Sequence, residues 1–415
     1  MSPGYGPYFF LSYARTKHDP ADKRDPDRWI NKLFLDLNEN IRTLTGVGPE
    51  SAGFMDRQNQ AGDRWQAELA KALATCRVFI PLYSEQYFQS EHCGKEWYAF
   101  ARRGANHKAL GHDIESAVVP VIWVPVKRAR MPGVTKYLND NQHDLGERYH
   151  KEGLFTLTKL DRFRRDYQEI VYRLAQRILE VADKTKITQE EPADYDSLPS
   201  AFDGTMADAR IQITLLSLVR SSTLPKGRTA ACYGTTPRQW SPYRPAYPQP
   251  LADYAAELTA HLGCVPDVGI FDDHFAGWST SKPQSPSLCL IDPWTALSPS
   301  FHNKLRKLDS FDSSLVTVLL PWNIKDPEMA RAPDALQEHV RSLIGHKLEK
   351  VPYRCEMAAN GVPTLQDFSD LLPRMIAILQ KRFHKEGAVN LPEGPSYERP
   401  RLSGPRSGNG EDDDD

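Results

Sequence analysis

Short β-rich apolar runs alternate with helix-period segments over residues 8–182, the pattern of a parallel sheet covered by helices on both faces. Strands are expected at residues 8–13, 52–56, 77–83, 117–126 and 154–160. Between the first two, Trp29, Ile30, Leu33, Phe34, Leu37 and Ile41 recur at helical spacing from about Asp27. A second helix carries Trp65, Leu69, Ala72 and Leu73, and a third, over residues 161–182, turns Tyr167, Ile170, Val171, Leu174 and Ile178 inward. Five strands with these helices predict a flavodoxin-like α/β layout.

At 415 residues the chain exceeds one typical core and suits two domains. Residues 183–207 are polar and aperiodic, and read as a linker between a domain at 1–182 and another at 208–386. Each domain is expected to own a core. The second shows strands at 211–219, 287–291 and 315–320, a short one at 268–271, and apolar helical faces at 251–262, 305–308, 336–343 and 368–379. Residues 387–415, ending in Glu-Asp-Asp-Asp-Asp, are expected to be a disordered acidic tail.

Spacing makes the second half an echo of the first. Leu11 to Ile80 spans 69 residues and Leu215 to Leu290 spans 75, whereas Ile80 to Ile122 spans 42 and Leu290 to Val318 only 28. The second copy is therefore about 14 residues short in one interval. In the first copy that interval holds the polar segment Ser90-Glu91-His92-Cys93-Gly94-Lys95-Glu96-Trp97, which follows the apolar run at 78–82. In the second, Asp292-Pro293-Trp294 follows the strand instead.

Glu96 is the candidate catalytic group, because a carboxylate on a helix leaving a buried strand lies near the crevice where open α/β sheets bind ligands. Phe10-Leu11-Ser12-Tyr13-Ala14 resembles the first-strand signature of TIR domains, and residues 57–64 fall where that family has its BB loop. Ser90-x-x-Cys93-x-x-Glu96 is similar to its Ser-x-Trp-Cys-x-x-Glu motif, with His92 in place of Trp. The whole chain most resembles the TIR-like proteins of actinobacterial peptide-maturation clusters whose precursors end in an FxSxA motif. The resemblance implies a TIR domain in the first half, and the shortfall of about 14 residues in the second points to a degenerate TIR-like or flavodoxin-like α/β domain there, lacking an NAD-cleaving site. For Glu96 it implies the catalytic role in an NAD+ glycohydrolase whose activity needs self-association through TIR domains. The alternative it leaves open is a non-catalytic interaction module in signalling or peptide maturation.

The chemistry stands without the name. Breaking the nicotinamide–ribose bond leaves an oxocarbenium-like sugar, and the leaving pyridine is already neutral, so one positioned carboxylate can suffice. Ser12 and Tyr13 at the end of the first strand are placed to line the same crevice, with Arg15 and Lys17 available to a pyrophosphate. Ser90, Cys93, Arg57 and Trp65 complete the expected substrate-binding set. Cys93 reads as a packing residue rather than a nucleophile, and Trp97 and Phe100 as core. Arg102, Arg103, Lys108, Lys127, Arg128 and Arg130 read either as a basic rim for phosphates or as a solvated surface. In the second half, Trp240, Tyr243 and Arg244 stand in the Pro-rich stretch 225–250, either to recognise a peptide or protein partner or as a stiff cover over the sheet.

Composition removes several function classes. Lys+Arg 52 against Asp+Glu 54 gives no basic excess that would ask for nucleic acid. No run of eighteen apolar residues occurs, and the apolar run at residues 8–11 is too short for a signal-peptide core, so a cytoplasmic protein without a membrane partner is expected. Six cysteines without a C-x-x-C pair predict neither a metal site nor a disulfide framework. No cofactor is expected, NAD+ entering as substrate.

Overall fold

The computed structural model describes residues 6–16, 24–56, 63–112, 116–135, 145–204, 206–280, 283–331 and 333–386. Chain order in the first half is β1 (Phe9–Ser12), α1 (Arg28–Thr45), α2 (Pro49–Ala52), β2 (Gly53–Met55), α3 (Asp63–Thr75) and β3 (Val78–Tyr83). There follow α4 (Glu85–Gln89), α5 (Glu91–Ala109), β4 (Val121–Ile122), α6 (Glu147–Lys159) and α7 (Arg164–Thr185). The strands pair in parallel in the order β2-β1-β3-β4, with Leu11 opposite both Met55 and Ile80. Helix α1 packs against α7 and α6, while α3 packs against α5. β1, apart from its last residue Ser12, and β3 are apolar on both faces, and both strands are fully buried, as a parallel strand covered twice must be.

Two expected strands differ. Over residues 117–126 only Val121–Ile122 form a strand, with an isolated bridge from Val118 to Phe79, because Pro120 and Pro125 lack the N–H a ladder needs. Residues 154–160 are not a fifth strand but the end of helix α6, burying Leu154, Leu157 and Thr158. Seven apolar-rich residues do not settle periodicity by themselves. Gly153, at φ 73°, breaks α6 and lets the chain approach Trp123, whose carbonyl accepts from the Phe155 amide at 3.0 Å.

The second half runs β5 (Arg210–Leu216), α8 (Leu251–His261), β6 (Val265–Ile270), α9 (Phe271–Thr280), β7 (Ser287–Ile291) and α10 (Pro299–Ser310). It continues with β8 (Val316–Leu319), α11 (Pro333–Glu349), α12 (Met357–Asn360) and α13 (Leu365–Glu386). Its parallel order, β6-β5-β7-β8, repeats that of the first sheet. The chain is thus an α/β fold with two parallel sheets, flavodoxin-like in the first half and echoed in the second.

The cores are not separate. Buried side chains of both halves form one contiguous cluster. Helix α5 packs on α8, buried Arg102 pairs with Asp370 of α13, and the buried Tyr254 hydroxyl donates to Asn106 Oδ1. The polar connector does link the two sheets, yet Ile187, Tyr195, Leu198, Ala201 and Met206 within it are buried. Among the described residues no helix is long and apolar enough to cross a membrane. The tail, residues 387–415, lies outside the described residues.

Candidate functional site at the end of strand β1

Strand β3 ends at Tyr83, and two capped turns carry the chain out of it. Ser84 accepts from the Tyr87 amide at 3.1 Å to start α4, and Ser90 accepts from the Cys93 amide at 3.3 Å to start α5. Ser90 is therefore occupied as a helix cap. Glu96 lies in the second turn of α5, on the face that looks toward β1, and is only 5% exposed.

Its partner is the last residue of β1. The Ser12 hydroxyl donates to Glu96 Oε2 and lies 2.9 Å from the Tyr87 hydroxyl, so three buried polar groups satisfy one another. Burial pushes the Glu96 carboxyl up to about 8, partly opposed by the Ser12 hydrogen bond; Asp56 adds to the rise and Arg15 works against it. In this closed arrangement the group carries its proton at neutral pH.

Asp56, immediately after β2, organises the neighbouring polar groups. Its carboxylate takes the Arg15 guanidinium on one oxygen and the Trp65 indole N–H on the other, while the Tyr13 hydroxyl donates to its carbonyl at 2.9 Å. Arg15 also lies 5.7 Å from the Trp65 ring centre. So the structure brings Ser12, Tyr13, Arg15 and Trp65 together beside Glu96, with Arg15 committed to Asp56. Lys17 and Arg57, and most of the expected BB loop, lie outside the described residues.

Cys93 is 1% exposed, and burial holds its thiol well above the usual range, in keeping with a packing role. Trp97 and Phe100 are core. The basic-rim reading fails for two of its members: Arg102 pairs with Asp370, and Arg103 donates to the carbonyls of Leu73, Cys76, Ile187 and Thr188. Both are buried ties between elements.

A strap from the connector lies across the first turns of α5. The Tyr195 hydroxyl donates to the His92 carbonyl at 3.3 Å, and its ring lies parallel to the His92 imidazole at 6.2 Å and edge-on to Trp65 at 6.4 Å. The ammonium of Lys95 donates to the Asp196 carbonyl at 3.3 Å, and the Ala201 amide to the Gly94 carbonyl at 3.1 Å. A Cβ at Gly94 would sit 1.9 Å from Ser200 Oγ, so any side chain there would make Ser200 shift. Phe202 closes the strap against Tyr87, Phe88 and Trp97. Neither Asp56 nor Tyr195 was found from sequence. Asp56 had a weak signal as the polar end of a strand, and Tyr195 had none.

In the second half the Pro-rich stretch turns its aromatic rings inward. Trp240 and Tyr243 are 1% and 4% exposed, the latter donating to the Val362 carbonyl at 3.0 Å, so the Pro-rich stretch packs as a cover and these rings are not offered to a partner. Asp292 is buried, accepting from Tyr233 at 2.8 Å, and Arg228 pairs with Asp326 and Glu328 beside it. Among the described residues no cluster of three or more His, Cys, Asp or Glu side chains is placed to hold a metal ion. No curated protein matches the chain. The family model of the TIR domain matches residues 9–132, the stretch that contains both Ser12 and Glu96.

Proposed function

We propose that this TIR-domain protein is an NAD+ glycohydrolase in which Glu96 is the catalytic carboxylate. The observation that carries the reading is the buried Ser12–Glu96 pair at the carboxyl end of β1, inside the TIR match. NAD+ and water would give ADP-ribose, nicotinamide and a proton: the ribose C1′–nitrogen bond breaks, its electron pair leaves with the pyridine, and water closes on C1′. An ionised Glu96 would stabilise the positive charge growing on the ribose, the task for which a fixed group in a dry site is most effective. Ser12 is a positioning residue that aims the carboxylate.

Activity on this reading depends on opening. Glu96 is buried and protonated in the closed form, so substrate access requires the strap to lift or self-association of TIR domains to rearrange the crevice. The cationic nicotinamide would then lower the carboxyl pKa and recruit its charged form. That same burial favours a second reading, a TIR interaction module whose Glu96 is a structural acid. NAD+ turnover by wild type, Glu96→Ala and Glu96→Gln, with and without crowding agents, decides between them. The expected loss in both variants is about 100-fold or more. Equal turnover in all three would remove Glu96 from the chemistry, and silence of the wild type under every assembled condition would favour the module.

A further inference from the structure

A groove of about 650 Å³ opens at the carboxyl ends of β1, β3 and β4, and Glu96 is not among its walls. It lies where α1 begins and α6 ends, whereas α5, which carries Glu96, packs on α3 and α8. The volume falls in the roughly 300–1,000 Å³ range of small-molecule sites. Its position, between β1 and β3 where the strand order reverses, is where open α/β sheets take ligands.

The walls have two chemistries. Trp29, Trp123 and Phe155 supply flat apolar faces, while Arg28, Lys127, Arg130 and Lys159 supply cations against a single lining carboxylate, Glu85. Glu85 is already paired with Arg130. Among the described residues neither Lys127 nor Lys159 forms an ion pair with a carboxylate. The Lys159 ammonium stands 5.3 Å from the Phe155 ring, and the Arg28 guanidinium 5.3 Å from that of Trp29. Residues of the first turn of α1, an eighteen-residue helix, also line the groove and add the positive end of its dipole. The nearby Asp27 carboxylate is engaged by the Thr16 amide at 3.1 Å. An excess of positive charge beside stacking surfaces fits one ligand form: a flat ring joined to an anionic phosphate.

We propose that this groove, which adjoins the Glu96 crevice at Tyr13 but does not include Glu96, is a second nucleotide site, taking a nucleoside 5′-phosphate with its ring against the Trp29, Trp123 and Phe155 walls and its phosphates toward Lys127, Lys159 and Arg28. The proposal does not rest on Glu96 acting on NAD+. The test is calorimetric titration of the full chain with ADP, with adenosine and inorganic pyrophosphate as half-ligands. ADP should bind with a Kd below about 1 mM, more tightly than either half and more weakly as salt rises. Lys127→Glu with Lys159→Glu, both exposed and so compatible with folding, should weaken ADP by about tenfold or more. Lys127→Arg with Lys159→Arg should retain binding. Glu96→Gln should leave ADP affinity unchanged even where it abolishes NAD+ cleavage, which separates the fate of this site from that of the catalytic reading. No binding at 1 mM, indifference to the charge reversal, or loss in Glu96→Gln would overturn the proposal.

Discussion

On the proposed mechanism the Glu96 carboxyl is the group on which the chemistry turns, and its environment sets how activity should depend on pH. Burial raises it to about 8, and the useful form is the anion, so the active fraction of free enzyme grows as pH rises through that value. kcat/KM for NAD+ should climb with pH and level off above about 8, with kcat levelling off at lower pH because bound nicotinamide favours the anion. Stability carries the opposite sign. A carboxyl raised above its unfolded value contributes stability that is fully present below the unfolded pKa and lost as pH rises through about 8. Glu96→Gln should therefore flatten the decline of the urea midpoint between pH 5 and 9. Gly94→Ala should cost about 1–3 kcal/mol in a urea melt, because the new Cβ meets Ser200 Oγ and the strap must shift. Ser12 and Glu96 could be read from sequence because each ends or follows an apolar strand. Asp56 and Arg15 could be named as polar residues, but their mutual pairing is a contact across 41 positions that no local pattern records.

At the level of elements, strands with unbroken apolar runs were legible, and so were helices long enough to show a face. α1 buries Ile30, Leu33, Leu37 and Ile41, and β7 occupies residues 287–291 as expected. α6 was misread because its apolar run is too short to distinguish two periodicities, and β4 because prolines interrupt it. The connector was legible as polar but not as a strap, since one Tyr and one Phe placed among polar residues give no period. Tyr195→Ala removes the ring lying between His92 and Trp65, and it should raise nicotinamide release by the full chain severalfold while lowering its melting temperature. In the second half the Pro-rich cover is part of the core: Trp240→Ala should cost about 3–5 kcal/mol, measured by denaturant unfolding.

For the whole molecule, the internal repeat read from strand spacing corresponds to two sheets with one strand order. The two sheets are joined through α5: Glu96 faces the first crevice while Arg102 and Asn106, further along the same helix, meet α13 and α8. Residues 1–207 made alone should expose that face, bind a hydrophobic dye and aggregate, where the full chain does not. One helix thereby ties the site, the strap and the second half together. The most direct test is nicotinamide release from NAD+ by the full chain carrying Tyr195→Ala, with and without Glu96→Gln. An uncovered site predicts turnover above wild type that Glu96→Gln lowers by about 100-fold or more; release that persists when Glu96 is replaced would contradict it.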